Sequence, residues 1–370
     1  MSLPSIIKGW DIPKEAYRKA HREDGLVKLL IELSNVCNLS CSGCFTKRVE
    51  GGWTPTSKKR LPNEIDYETQ LRLIEEAAEL GVQTVDIVGA GEPTLDPTFY
   101  DVVDHVERLG MQAVVFTHGA TRAFEDVERW RDKEVSFFVK LWSRNPELQD
   151  GYVSGSLPDY SLIRDKTIER MVDVGLTEDG ELSFDDIDYR TTRVGADVLV
   201  MRSNAGEIGD LLRYCRQRNI MPIIKTYIPE GPTRFDQEMN LKVYQPEELD
   251  ALRQDEISPE EFQAVREELI RIDREEFGIP QMSTFYPQAS KCTQSMASLY
   301  VTITGEIKSC VGTHHSYGHY EPGKSMLARA VEERKEKVGF GCVPRLLDAQ
   351  ERGLKIDGAL KVLYAEGIIG

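Results

Sequence analysis

Between about residue 26 and residue 228, short unbroken apolar runs alternate with stretches whose apolar residues recur at helical spacing. LVKLLIEL (26–33), TVDIVG (84–89), QAVVFT (112–117), VSFFVKL (135–141), ADVLVM (196–201) and MPIIKTYI (221–228) read as strands. A strand covered on both faces needs no polar alternation, so such runs signal a parallel sheet clothed by helices. YETQLRLIEEAAELG (67–81) places Leu71, Ile74 and Ala78 on one helical face, and PTFYDVVDHVERLG (97–110) predicts a helix stopped at Gly110. Six strand–helix repeats are fewer than the eight of a closed (β/α) barrel. The pattern therefore predicts an α/β fold, an open or partial (β/α)6 barrel.

The alternation lapses at 229–246, and 246–278 is strongly charged and helical in pattern, with Pro246 and Pro259 near two helix starts. This divides the chain into an N-terminal segment (1–24), a core (25–235) and a C-terminal region (236–370) with a helical linker and a small domain. Loops rich in Gly, Pro and polar residues fall at 45–66 and 144–160.

In a barrel, the loops after the strands carry the chemistry. The loop after the first strand holds Cys37, Cys41 and Cys44, three of the seven cysteines within eight residues. A C-x3-C-x2-C triplet suits three thiolates around one corner of an iron–sulfur cube, leaving the fourth iron open. A structural zinc site needs four ligands, and the nearest histidines, His21 and His105, are distant in sequence. Seven unevenly spaced cysteines do not resemble a secreted disulfide framework.

Composition narrows the partners. A net charge of −16 argues against broad binding to nucleic acid or anionic lipid. No apolar run approaches the ~18 residues of a membrane span. The N-terminus MSLPSIIKGW lacks the pattern of a secretory signal, which points to a cytoplasmic protein. Lys58, Lys59 and Arg60 are a local basic patch that could attract a phosphate or carboxylate, or simply a solvated loop.

The cysteine triplet in its strand context resembles the signature of the radical S-adenosylmethionine (radical SAM) enzymes. The resemblance implies that Cys37, Cys41 and Cys44 ligate a [4Fe–4S] cluster whose open iron chelates S-adenosylmethionine. In that family the position before the third cysteine is usually aromatic; here it is Gly43, and the aromatic is Phe45. GAGEP, with Gly89, Ala90, Gly91 and Glu92, resembles the Gly-Gly-Glu motif that faces the ammonium group of the cofactor. Thr117, Ser143 and Asn204 follow the third, fourth and fifth strands, where the family holds carboxylate and ribose; each could instead be a helix N-cap. Lys140 and Arg202 are alternative carboxylate partners.

Cys292, Gly305 and Cys310 form a C-x12-G-x4-C pattern, with a tight turn at Thr304–Gly305–Glu306 joining two strands. It resembles the opening of SPASM and twitch extensions, which implies an auxiliary iron–sulfur cluster, with Cys342 as a third ligand. Arg345 stands where a further cysteine would fall, and the fourth ligand could be Arg345, His314, His315, His319 or the substrate. Three buried thiols is the alternative reading. Cys215 reads as a packing residue, and HHSYGH (314–319) as an exposed loop.

These expectations define a radical SAM enzyme that reductively cleaves S-adenosylmethionine to a 5′-deoxyadenosyl radical, with a flavodoxin or ferredoxin as reductase. The first expected substrate is a small molecule, a nucleotide, sugar or cofactor precursor, phosphorylated if the basic loop serves it. Hydrogen abstraction would lead to dehydrogenation, epimerisation or cyclisation. The alternatives are a peptide-modifying SPASM-type maturase and a non-catalytic iron–sulfur protein for electron transfer or sensing.

Overall fold

Apolar runs pack on both sides of one sheet, and that burial explains their lack of alternation. Leu29 and Ile31, Val85 and Ile87, Ala113 and Val115, and Phe137 and Val139 face a core shared with the helices. On the opposite face, Val114 and Phe138 pack with Ile7, Met221 and Ile223. A computed structural model of the chain describes residues 3–42, 44, 59–153, 157–184, 187–226, 251, 254–279, 297–311 and 316–337.

The parallel core comprises β2 (Lys28–Ile31), β3 (Thr84–Ile87), β4 (Gln112–Thr117), β5 (Val135–Lys140), β8 (Val194–Leu199) and β9 (Met221–Lys225), paired in that order. The sheet is open, as a partial barrel requires. Helices α2 (Tyr67–Glu79), α3 (Phe99–Arg108), α5 (Tyr160–Asp173) and α6 (Ile208–Gln217) belong to its connections, with a short α4 (Pro146–Tyr152) before α5. The β4–β5 connection is not a regular helix but two 3₁₀ turns, Arg122–Phe124 and Val127–Trp130. Between α5 and β8 the chain inserts an antiparallel hairpin, β6 (Gly180–Phe184) and β7 (Ile187–Thr192), which the apolar pattern did not mark.

Helix α2 is rotated from its expected face. Its buried residues are Gln70, Leu73, Ile74 and Ala77, while Leu71 and Ala78 are half-buried. A polar residue turns inward because Gln70 Nε2 donates to the Leu33 carbonyl at 2.8 Å, beside the cysteine loop.

The N-terminal segment closes one end of the half-barrel. Strand β1 (Ser5–Ile7) pairs with β7. The carbonyls of Lys8, Gly9 and Trp10 accept from Ser136 Oγ (2.8 Å), Thr84 Oγ1 (2.8 Å) and Lys28 Nζ (2.7 Å). Those donors begin β5, β3 and β2, so the N-terminal strand ends are covered and the chemistry is left to the C-terminal ends. Trp10 meets Phe116 and Phe138 edge-on at 5.4 and 5.2 Å.

In the C-terminal region, α7 (Pro259–Glu276) starts at Pro259 with a Ser258–Glu261 capping box. Arg216 of α6 and Asp273 of α7 form a buried pair with two 2.8 Å bonds. The expected strand pair forms as β10 (Ser298–Val301) and β11 (Glu306–Lys308), with Gly305 at φ +83° in the turn. Strand β10 also pairs in parallel with β2, so the hairpin extends the core sheet. The HHSYGH segment is not simply a loop: β12 (Ser316–His319) pairs with β11, and Tyr317 is buried with its hydroxyl 2.6 Å from Ser309 Oγ. Helix α8 (Met326–Lys337) follows. Among the described residues no helix is long and apolar enough to cross a membrane.

Candidate active site

The cysteine loop leaves the C-terminal end of β2 and is clamped at once to the loop after β3. Gly91 N–H donates to the Ser34 carbonyl at 2.8 Å, and Glu92 N–H to the Val36 carbonyl at 2.7 Å. Only glycine fits at 91: a Cβ there would stand 2.2 Å from the Val36 oxygen. Gly89 takes φ +68°, and Ala90 is buried. Thus GAGEP has a structural reason beside any ligand role.

Glu92 is buried at 2% exposure and organises three loops. Its Oε1 accepts from Thr94 Oγ1 and Thr117 Oγ1, both at 2.6 Å, and its Oε2 accepts from His118 N–H at 2.8 Å. His118, which sequence reasoning passed over, is buried as well. Ala120 N–H donates to His118 Nδ1 at 3.0 Å, and Nε2 lies 2.8 Å from Asn38 Oδ1. That pattern assigns the proton to Nε2. Burial lowers the pKa of His118, against the opposing effect of Glu92, so the ring is neutral near pH 7.

Cys37, Cys41 and Cys44 share an apolar patch with Leu39, Ala120, Val153 and Tyr160. Burial first, then the neighbouring Cys41, pushes the Cys37 thiol up to about 12. Among the described residues no three His, Cys, Asp or Glu side chains could hold a single metal ion. An iron–sulfur cube asks for something different, since each thiolate binds a different iron. Cys41 is buried and Cys37 and Cys44 half-buried; three thiols against one apolar patch are a donor set that fits such a cluster.

An ammonium group enters this pocket. Lys140 ends β5, and its Nζ donates to Cys41 Sγ at 2.9 Å while lying 4.5 Å from the Trp142 ring centre. Desolvation works against its charge, yet Cys41 and then Tyr160 hold its pKa above the ordinary lysine value.

The other expected contacts are occupied by the fold. Ser143 is fully buried; its hydroxyl bonds Glu207 and accepts from Asn145 N–H at 2.9 Å. Asn204 is equally buried, donating to the Trp142 and Leu199 carbonyls (2.7 and 2.8 Å) and accepting from Met201 N–H (2.8 Å). Neither caps a helix with its side chain. Buried Arg164 sets the loop after β5 through Lys140 O, Ser143 O and Gln149 Oε1 (3.2, 3.2 and 2.9 Å). Arg202 pairs with Glu261 on α7 at 3.1 Å. Arg60 bonds Glu64 and the Ile65 carbonyl (3.0 and 2.8 Å), so it braces its own loop rather than offering a free cation. Cys215 is buried in the core, as expected of a packing residue.

Cys310 is buried just beyond β11, and His319 is exposed. Phe45, Lys58, Cys292, His314, His315, Cys342 and Arg345 lie outside the described residues.

An open parallel half-barrel with a thiol triad and a glycine-built clamp at its strand ends defines a cofactor-dependent α/β fold. Residues 31–176 match the model of the radical SAM superfamily, and the chain carries a radical SAM domain continued by a C-terminal extension. That domain implies a [4Fe–4S] cluster and S-adenosylmethionine.

Two sequence relatives and one structural neighbour frame it. The tungsten-containing aldehyde ferredoxin oxidoreductase cofactor-modifying protein of Pyrococcus furiosus is 21% identical over 187 residues, 50% of this chain and 47% of its own. A PqqA peptide cyclase of Methylorubrum extorquens is 33% identical over 106 residues, 29% of this chain and 25% of its own. The structure of Streptococcus suis SuiB bound to its precursor peptide SuiA has TM-score 0.57 and 14% identity, covering 86% of this chain and 68% of that one. The chain thus spans about half or less of the length of these two sequence relatives.

Proposed function

We propose that this protein is a radical SAM enzyme that acts on a peptide. Cys37, Cys41 and Cys44 would hold the [4Fe–4S] cluster. When bound, the cluster and S-adenosylmethionine supply a 5′-deoxyadenosyl radical that abstracts hydrogen. The chain's own part is placement and exclusion of water. Leu39, Ala120, Val153 and Tyr160 form an apolar wall against the thiols. Glu92, pinned by Thr94, Thr117 and His118, sets the clamp between the loops after β2 and β3.

The observation that carries the peptide reading is the 33% identity to PqqA peptide cyclases across 106 residues. A similarly matched relative is the sporulation killing factor maturation protein SkfB of Bacillus subtilis, at 29% over 115 residues. It favours a peptide over the small-molecule substrate that the sequence pointed to first. Cys310, with Cys292 and Cys342, remains our assignment for an auxiliary cluster beside the substrate.

The test is anaerobic turnover of the reconstituted protein with dithionite, S-adenosylmethionine and the peptides encoded beside its gene. We expect 5′-deoxyadenosine together with a mass change in one peptide, and no product from the Cys37, Cys41 and Cys44→Ala variant. 5′-Deoxyadenosine formation that no peptide stimulates, but a nucleotide or sugar does, would return the assignment to a small molecule.

A further inference from the structure

Lys140 brings an ammonium group onto a sulfur of the triad. Its surroundings fix it there. Its backbone carbonyl is held by Arg164, a guanidinium with no exposed surface, at 3.2 Å. Its ammonium sits against the Trp142 ring at 4.5 Å, a contact that holds a cation without neutralising it. Its Nζ then reaches Cys41 Sγ at 2.9 Å. The pocket therefore carries a fixed positive charge at Cys41.

We propose that Lys140 is a positioning residue that sets the reduction potential of the cluster by donating a charge-assisted N–H···S bond to the Cys41 thiolate. This rests on the assignment of Cys37, Cys41 and Cys44 as cluster ligands. The physics is direct. One added electron, which dithionite supplies in the test, makes the thiolate-bound cluster one unit more negative. A fixed ammonium against one ligating sulfur stabilises the more negative form, and hydrogen bonds to sulfur and local charge are among the terms that set such potentials. The low polarity of the patch around Leu39, Val153 and Tyr160 strengthens the effect. Lys140 would thus ease the electron's entry before any substrate chemistry.

The test is a redox titration of the anaerobically reconstituted full chain, without S-adenosylmethionine, following the reduced cluster by electron paramagnetic resonance. Wild type is compared with K140M, which keeps the stem and loses the charge, with K140Q, which keeps a neutral donor, and with K140R, which keeps the charge. Iron and sulfide are counted for each. We expect K140M to bind iron as wild type does and to be harder to reduce by tenfold or more, at about 59 mV per tenfold for one electron. K140Q should fall between, and K140R should return close to wild type. If K140M takes up less iron, K140Q carries the comparison, because it alone retains a donor to Cys41 without the charge. A shift below about 20 mV in a fully loaded neutral variant, roughly a factor of two, overturns the proposal. So does an unchanged potential with weakened S-adenosylmethionine binding, which would make Lys140 a cofactor ligand only. Failure of wild type itself to take up iron and sulfide would instead refute the ligand assignment on which the proposal stands.

Discussion

Gly91 and Val36 meet so closely that a methyl group on the first would stand 2.2 Å from the carbonyl oxygen of the second. This contact welds the cysteine loop to the loop after β3, reinforced by the backbone bonds of Gly91 to Ser34 and Glu92 to Val36. The obstacle is backbone, which cannot swing aside as a side chain can. Gly91→Ala should therefore cost about 1–3 kcal/mol as an overpacked site, and should lower iron loading on reconstitution. Urea unfolding and iron content check both; a variant with wild-type stability and loading would show that the clamp is dispensable.

Glu92 supplies acceptors to Thr94, Thr117 and His118 inside a buried pocket. Glu92→Gln keeps the volume but turns an NH₂ toward groups that are donors. Leaving buried donors unmatched costs about 1–3 kcal/mol each at most. A loss of roughly that size is expected for the variant as a whole, with weaker S-adenosylmethionine binding by calorimetry on the loaded protein.

Tyr300 on β10 donates its hydroxyl to buried Glu32, at the exit of β2, and Glu32 also accepts from Ile303 N–H at 2.9 Å. This pair fastens the hairpin that bears Cys310 to the strand that leads to Cys37. Tyr300→Phe should cost about 1–2 kcal/mol. Its signature is local: hydrogen exchange should quicken across 298–308 more than in β3 or β4. Uniform quickening would mean that the bond supports the whole fold and not this junction.

Asp86 lies fully buried on β3, with its Oδ2 3.5 Å from Lys28 Nζ. Burial lifts its pKa from 3.8 to about 6, with Lys28 opposing. Because the folded value is the higher one, its proton is held more tightly in the folded state. The stabilisation is complete below the unfolded value and is lost as pH rises through about 4 to 6. Asp86→Asn removes this dependence. Relative to wild type, the variant should gain about 2–3 kcal/mol between pH 4 and pH 8 in urea unfolding. A difference that does not change with pH would show that Asp86 stays ionised in the fold.

Several elements were legible because their signals are local. QAVVFT forms β4 with the expected bounds, Gln112–Thr117. The turn at Gly305 needed a positive φ and has one. The triplet CNLSCSGC groups three thiols by spacing, and the fold gathers them on one apolar patch. Helix α2 was less legible: its apolar stripe ran through Leu71 and Ala78, but the bond from Gln70 to the Leu33 carbonyl rotates a polar residue inward. The hairpin β6–β7 was missed because GELSF and IDYRTT are largely polar and its partner, β1, is far away in sequence.

The sequence by itself determined the parallel α/β core, the cysteine triplet and the hairpin before Cys310, since each follows from periodicity or spacing within a few residues. Only the tertiary structure decided which distant groups meet. Residues 8–10 close the N-terminal strand ends, β10 joins the free edge of β2, and Ser143 and Asn204 turn their polar atoms into the protein. Lys140 comes to rest on Cys41, 99 residues away in the chain. A strand pattern states which faces are apolar, but not which charged residue at a strand's end will find which sulfur; that is fixed when the sheet's order brings their loops together.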